Sequence, residues 1–140
     1  MQLVIDTNII VSALLLPQSV PGRLMAAWRH GAFALVSAEI QLEEIAQVTR
    51  CPHIQARIQR ATAGQIVNAI RALAVMVPTL PRVDRSPDPK DNFLLALAEA
   101  GNADLLVSGD KRDVLALKRH EGTRIVTARE ALQALGYSVD

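Results

Sequence analysis

Short apolar runs that alternate with longer helical patterns constrain the fold of this chain more than any other feature. The runs are rich in Val and Leu and show little polar alternation, which is typical of strands covered on both faces. They predict strands at residues 3–5, 33–36, 75–77, 105–107 and 124–126. The helical patterns cover residues 22–29, 38–49, 54–60, 63–73, 92–100, 113–119 and 128–135. This alternation predicts an α/β fold, a three-layer α/β/α sandwich around a central parallel sheet of about five strands.

Local signals mark several of the predicted helix ends. Ser37 precedes the helix at 38–49 as an N-cap candidate, and Gly101 follows the helix at 92–100 as a stop signal. Thr127 stands before the last helix, and Glu130 three residues later completes a capping-box pattern. These residues support the helix assignments independently of the apolar periodicity.

The length of 140 residues predicts a single domain that covers residues 1–140. The single cysteine, Cys51, excludes an internal disulfide and is consistent with the reducing cytoplasm, where we expect the protein. The first apolar run is broken by Asp6 and lacks a preceding basic region, so no signal peptide is predicted. No apolar stretch is long enough to span a bilayer, and we expect no membrane association.

Four acidic residues occupy positions where a parallel sheet would gather ligands. Asp6 and Asp110 follow the first and fourth predicted strands, Asp91 lies at the start of the helix before the fourth, and Glu43 lies on the helix after the second. If strands one and four are neighbours, Asp6 and Asp110 emerge at the same edge, where open α/β sheets bind ligands. The start of the Asp91 helix would reach that edge too. A buried carboxylate at such a strand end is costly unless it is paired or holds a cation.

Carboxylates that meet in one pocket must be neutralised. Two negative charges about 5 Å apart repel by about 3 kcal/mol at an effective dielectric near 20. Hard oxygen ligands suit Mg²⁺ or Mn²⁺, whereas the scattered positions of His30, His53 and His120 disfavour zinc. A cation of this kind can polarise a phosphate and activate water. The acids therefore predict a metal-dependent nuclease.

The basic residues allow two interpretations. Between Glu44 and Asp84 there is no acidic residue, and Arg50, Arg57, Arg60 and Arg71 lie in this segment, although the formal net charge is only +1. They are either solvated helix faces or a flank that contacts substrate phosphates. Lys90 and Lys111 each adjoin a predicted site acid, and the same two interpretations apply to them.

Four segments carry a resemblance to a known family. They are Val4-Ile5-Asp6-Thr7-Asn8, Ser37 with Glu43 and Val48, Asp88-Pro89-Lys90-Asp91-Asn92, and Ala103-Asp104-Leu105-Leu106-Val107-Ser108-Gly109-Asp110. In this order and spacing they resemble the PIN-domain ribonucleases, in particular the bacterial PIN-type toxins of toxin–antitoxin pairs. The resemblance covers nearly the whole chain and implies the same α/β/α sandwich.

The resemblance also implies a set of site residues. The implied Mg²⁺ or Mn²⁺ ligands and catalytic acids are Asp6, Glu43, Asp91 and Asp110, and Asp113 matches a less regular fifth acid. Asn8 and Ser108 match polar residues that hold these acids in place. The neighbouring Glu44 remains an alternative to Glu43. Glu43 is preferred because it stands six residues after Ser37 and five before Val48.

By the same resemblance, we expect an endoribonuclease that acts on RNA, forms a homodimer and is neutralised by a small antitoxin protein. A nuclease that matures RNA or cuts structured DNA is an alternative within the enzymes. A non-catalytic PIN-like module that binds proteins is the alternative outside them. Fold-level likeness alone does not decide among these.

Overall fold

The computed structural model describes residues 1–109 and 114–139. The predictions at Asp110, Lys111 and Asp113 therefore lie outside the described residues. Within the described ranges the chain forms six strands and eight helices. In chain order they are β1 (Gln2–Ile5), α1 (Thr7–Leu15), α2 (Val20–Arg29), β2 (Ala34–Ser37), α3 (Glu39–Thr49), α4 (Pro52–Gln55), α5 (Arg60–Leu73), β3 (Val75–Met76), α6 (Pro89–Ala100), β4 (Leu105–Val107), α7 (Val114–Leu117), β5 (Arg119–His120), β6 (Thr123–Val126) and α8 (Ala128–Ala134).

The strands form one sheet in the order β3-β2-β1-β4-β6-β5. Every pairing is parallel except that of β5 with β6, which is antiparallel. Strands β1 and β4 are neighbours, with Ile5 opposite Val107, as the placement of the acids requires. The first and fourth predicted strands therefore do end at the same edge of the sheet.

Side chains alternate between the two faces of the sheet and pack into two separate cores. Leu3 and Ile5 of β1 contact the first core, to which α1, α2, α3, α5 and α8 contribute buried residues. Val4 of β1 and Leu106 of β4 contact the second core, built with α6 and α7. Helices thus cover both faces, and the predicted α/β sandwich with its largely parallel sheet is confirmed.

Helix α1 is absent from the sequence predictions. It begins directly after Asp6 and is apolar on most of its surface, so its residues show no clear helical period. It is followed by α2 after a 98° bend. No single helix in the described part of the chain is long and apolar enough to cross a membrane, and only α1 and α2 taken together meet the length and composition of a span.

Two further differences concern helix boundaries. The predicted helix at 113–119 ends early, because Lys118 adopts a left-handed conformation (φ 61°) and the chain then enters β5. Ser37 is not an N-cap as predicted, since it is the last residue of β2 and Ala38 occupies the cap position. The capping box of Thr127 and Glu130 is confirmed.

Candidate active site

Asp6 is held at the end of β1 by contacts on three sides. Its backbone N–H donates to the carbonyl of Val107 on β4, at 2.9 Å. Its Oδ1 accepts from the backbone N–H of Asn8, at 3.1 Å, so Asp6 is the N-cap of α1. Its Oδ2 accepts from the hydroxyl of Ser108, at 3.2 Å, just beyond β4. These contacts give Asp6 the local role of a helix cap and also fix its carboxylate at the carboxyl edge of the sheet.

Asp91 lies in the first turn of α6 and is only 5% exposed. Asp88 caps this helix by accepting from the N–H of Lys90 at 3.0 Å, and Pro89 follows at the first helical position. Ser86 Oγ donates to Asp91 Oδ2 at 3.0 Å. A hydroxyl donor of this kind stabilises the ionised form of a buried carboxyl and limits its rotation.

The loop that carries Ser86 is fixed by side-chain hydrogen bonds. The Asn92 side chain accepts from the N–H groups of Arg85 and Ser86 and donates to the carbonyl of Ser86, at 2.8–3.0 Å. The Arg85 guanidinium lies 2.9 Å from Nδ1 of the buried His120, whose Nε2 lies 3.1 Å from Glu99. Because a guanidinium only donates, His120 accepts through Nδ1 and donates through Nε2. The loop is thereby tied to β5 and α6.

A small polar cavity of about 90 Å³ lies where these elements meet. Its lining comes from the start of α1, the middle of α3 and the start of α6: Asp6, Asn8, Glu44, Val48, Asp88, Lys90, Asp91 and Leu94. Two predicted acids, the predicted support residue Asn8 and the predicted phosphate contact Lys90 are therefore brought together. Ser108 adjoins the cavity through its hydrogen bond to Asp6.

The structure places Glu44, and not Glu43, at this cavity. Glu43 is exposed, whereas Glu44 is partly buried and lines the cavity together with Val48. Residues four apart share one face of a helix, so Glu44 lies on the same face of α3 as Val48. Glu43 is five residues before Val48 and lies on a different face. The preference for Glu43 drawn from the sequence is therefore corrected to Glu44.

The donor set of the cavity fits a hard divalent cation. Four of its residues carry carboxylates, Asp6, Glu44, Asp88 and Asp91, and Asn8 adds an amide, while the described lining contains no His or Cys. Within residues 1–109 and 114–139, no three His, Cys, Asp or Glu side chains are gathered closely enough to hold a metal ion by themselves. The described acids therefore line one cavity without forming a complete ligand set by themselves.

The predicted arginine flank divides into two parts. Arg71 pairs with Glu39 through two hydrogen bonds of 2.9 and 3.1 Å, which lower the pKa of Glu39 and raise that of Arg71. Arg50 and Arg60 instead line a separate groove of about 530 Å³ formed by α3, α5 and the segment between them. Arg71 is thus engaged on the surface, whereas Arg50 and Arg60 lie beside a concave feature.

Sequence reasoning missed two polar residues beside the acids, Ser86 and Gln41. Ser86 sits in an irregular proline-rich segment, where no periodicity marks it. Gln41 is fully buried on the inner side of α3, among Leu42, Ile45 and other apolar residues. A polar side chain on an otherwise apolar helix face is the signal that could have found it.

The fold and this acidic cavity define an α/β protein with a candidate active site at the carboxyl edge of its sheet. A family model described as PIN domain matches residues 2–112, and the chain belongs to this family. PIN domains are generally nucleases, and they usually use divalent metals. No curated protein and no solved structure matches the chain significantly.

Proposed function

We propose that this protein is a Mg²⁺- or Mn²⁺-dependent endoribonuclease, and that it is the toxin of a toxin–antitoxin pair. The observation that carries the nuclease proposal is the cavity that Asp6, Glu44 and Asp91 all line. It lies at the carboxyl edge of a parallel sheet, beside the N-terminus of α6. Family membership supports hydrolysis of nucleic acid, and the choice of RNA rests on the resemblance of the motifs to those of PIN-type toxins.

Asp6 and Asp91 would hold the cation, because both carboxylates line the cavity and each accepts a serine hydroxyl that limits its rotation. Asp110 and Asp113, outside the described residues, are proposed as further ligands. A bound divalent cation supplies Lewis acidity for phosphodiester hydrolysis.

The other cavity residues act on water and substrate. Glu44 lines the cavity from α3, and it would orient the attacking water and accept its proton. Lys90 and the N-terminal end of α6 offer positive charge to a phosphate. Lys111 would add to this charge. Together they bind and orient one phosphodiester against the acids.

The test is cleavage of a single-stranded RNA and of a DNA of the same sequence by metal-stripped protein, with and without Mg²⁺ or Mn²⁺. Asp6→Asn and Asp91→Asn should abolish cleavage, while Asp84→Asn, a change at an exposed acid before α6, should not. RNA cleavage that requires the cation and both acids supports the proposal. Preferential cleavage of the DNA would refute the choice of RNA.

The toxin role and the assembly need separate tests. Expression of the wild type, but not of Asp6→Asn, should arrest bacterial growth, and co-expression of a small antitoxin should relieve the arrest. Sedimentation should show a homodimer. If Mn²⁺ leaves both cleavage and melting temperature unchanged, the non-catalytic binding module becomes the better reading.

A further inference from the structure

Gln41 is a fully buried polar residue on the inner side of α3, and its amide contacts Ile5 and Thr7, the residues on either side of Asp6. Its exposed fraction is 0%, as is that of Ser37, its hydrogen-bond partner on β2. An unsatisfied amide at such a place costs about 1–3 kcal/mol, and an apolar residue of the same size avoids that cost. A core position of this kind therefore calls for a reason beyond packing.

The orientation of the Gln41 amide follows from its partners. The carbonyl of Ile5 can only accept, so the nitrogen Nε2 faces it, at 2.7 Å. The oxygen Oε1 consequently faces the hydroxyl of Ser37, which donates to it at 2.6 Å. Nε2 also lies 3.4 Å from the hydroxyl of Thr7. The amide cannot rotate by half a turn without losing the hydrogen bond to Ile5, because the oxygen Oε1 would then face the Ile5 carbonyl oxygen.

These partners bracket Asp6 in the chain. Ile5 is the last residue of β1, and Thr7 is the first residue of α1, so the amide contacts the residues immediately before and after Asp6. Gln41 also lies three residues before Glu44 on the same helix. The side chain thus links the helix that carries one acid of the cavity to the strand end that carries another.

We infer that Gln41, held between the Ile5 carbonyl and the Ser37 hydroxyl, is a positioning residue that sets Asp6 relative to Glu44. The inference rests on the proposed function, because the distance between these two acids matters for hydrolysis only if they act together. Misplacement of a reacting group by about 1 Å can cost about a hundredfold in rate. Gln41 itself does not touch substrate.

The experiment compares Gln41→Met, which keeps the length of the side chain and removes its hydrogen bonds, with Thr49→Val. Thr49 is the matched control, since it is buried on the same helix and its hydroxyl bonds only to α3 carbonyls. Ser37→Ala, which keeps Gln41 but removes one of its two short hydrogen bonds, is a milder second variant. Cleavage of the RNA used above gives kcat and KM with Mn²⁺ present.

Amide hydrogen exchange of the metal-free protein gives a readout independent of cleavage. The N–H groups of Asn8 and Ile10 donate to Asp6, whereas that of Ile125 donates to Lys118, far along the sheet. In Gln41→Met, the Asn8 and Ile10 amides should exchange about tenfold faster, with Ile125 unchanged. kcat should fall about tenfold to a hundredfold with KM within about twofold.

Ser37→Ala should shift the same quantities in the same direction by less, and Thr49→Val should shift none of them. Unchanged exchange at Asn8 in Gln41→Met, or an equal loss of kcat in Thr49→Val, would overturn the inference. A wild-type protein that cleaves no RNA would overturn the proposed function instead. The exchange at Asn8 would then decide the positioning role by itself.

Discussion

The neighbouring glutamates of α3 allow the candidate site to be tested with an internally matched pair of variants. Glu44→Gln and Glu43→Gln each remove one negative charge at nearly constant volume and helix propensity. Only Glu44 lines the cavity with Asp6 and Asp91, whereas Glu43 is exposed. Any difference between the two variants therefore reports on the cavity and not on α3 in general.

The size of the effect can be estimated from the cavity. Two carboxylates about 7 Å apart repel by on the order of 1 kcal/mol in a partly hydrated site. Because the carboxylates of Asp6, Asp88 and Asp91 line the same cavity, Glu44→Gln should stabilise the metal-free protein by about 1–3 kcal/mol. For a domain of this size, that raises the melting temperature by about 3–10 °C.

Thermal denaturation without Mn²⁺ measures the repulsion between the carboxylates, and denaturation with Mn²⁺ measures the stabilisation by the cation. At a cation concentration one hundred times its Kd, the wild type should gain about 2.7 kcal/mol. Glu44→Gln should have a higher melting temperature than the wild type without Mn²⁺, and Mn²⁺ should stabilise it less. Its RNA cleavage should fall by about a hundredfold or more because a general base is lost. Glu43→Gln should match the wild type in all three measurements.

The opposite result for the two variants would refute the assignment of Glu44 to the site. Loss of cleavage and of the Mn²⁺ response in Glu43→Gln, with Glu44→Gln unchanged, would show that Glu43 is the site acid, as preferred from the sequence. Equal, small effects of both would remove α3 from the site altogether. Measurements at low salt are preferable, because screening weakens the repulsion between partly exposed charges.

Three further outcomes are expected. Asp6→Asn should keep the α1 cap, since its amide oxygen can still accept from the Asn8 N–H, and circular dichroism should show a folded protein without cleavage. Ser86→Ala removes a hydrogen bond to a buried carboxylate and should destabilise the protein by about 1.5–3 kcal/mol in urea denaturation. The Thr127 backbone N–H donates to the Glu130 carboxylate and lowers the pKa of that carboxyl below its ordinary value of 4.5. The ionised Glu130 therefore stabilises the fold above pH 4.5, and this stabilisation is lost as the pH falls through the lowered pKa. The stability difference between wild type and Glu130→Ala should accordingly shrink on acidification from pH 7, and an unchanged difference would contradict this.

The sheet was predictable because its strands are short, apolar and buried on both faces. The predicted strand at residues 105–107 coincides with β4, and the neighbourhood of β1 and β4 follows from the topology. Helix α1 was not predictable in the same way, since burial on most sides leaves no amphipathic period. Strand β5 depends on a left-handed residue, Lys118, and on the pairing of His120 with Arg85 and Glu99, which are distant in sequence.

The candidate site was predictable as far as strand ends and helix starts determine it. Asp6 and Asp91 follow from their elements alone, but the choice between Glu43 and Glu44 depends on the rotation of α3 about its axis. That rotation is set by which side of the helix is buried, where Gln41, Leu42 and Ile45 lie. A motif spacing counted along the chain does not contain this information.

The two edges of the sheet limit how copies of this chain can associate. Both edge strands, β3 and β5, have only two residues, and Pro78 and Pro81 follow β3 without N–H groups to donate. A second chain therefore finds no long row of open backbone groups on which to add a strand. Assembly by extending the sheet is disfavoured, as is open-ended strand pairing between copies, and we expect a stable pair of subunits to associate through surfaces other than the sheet edges.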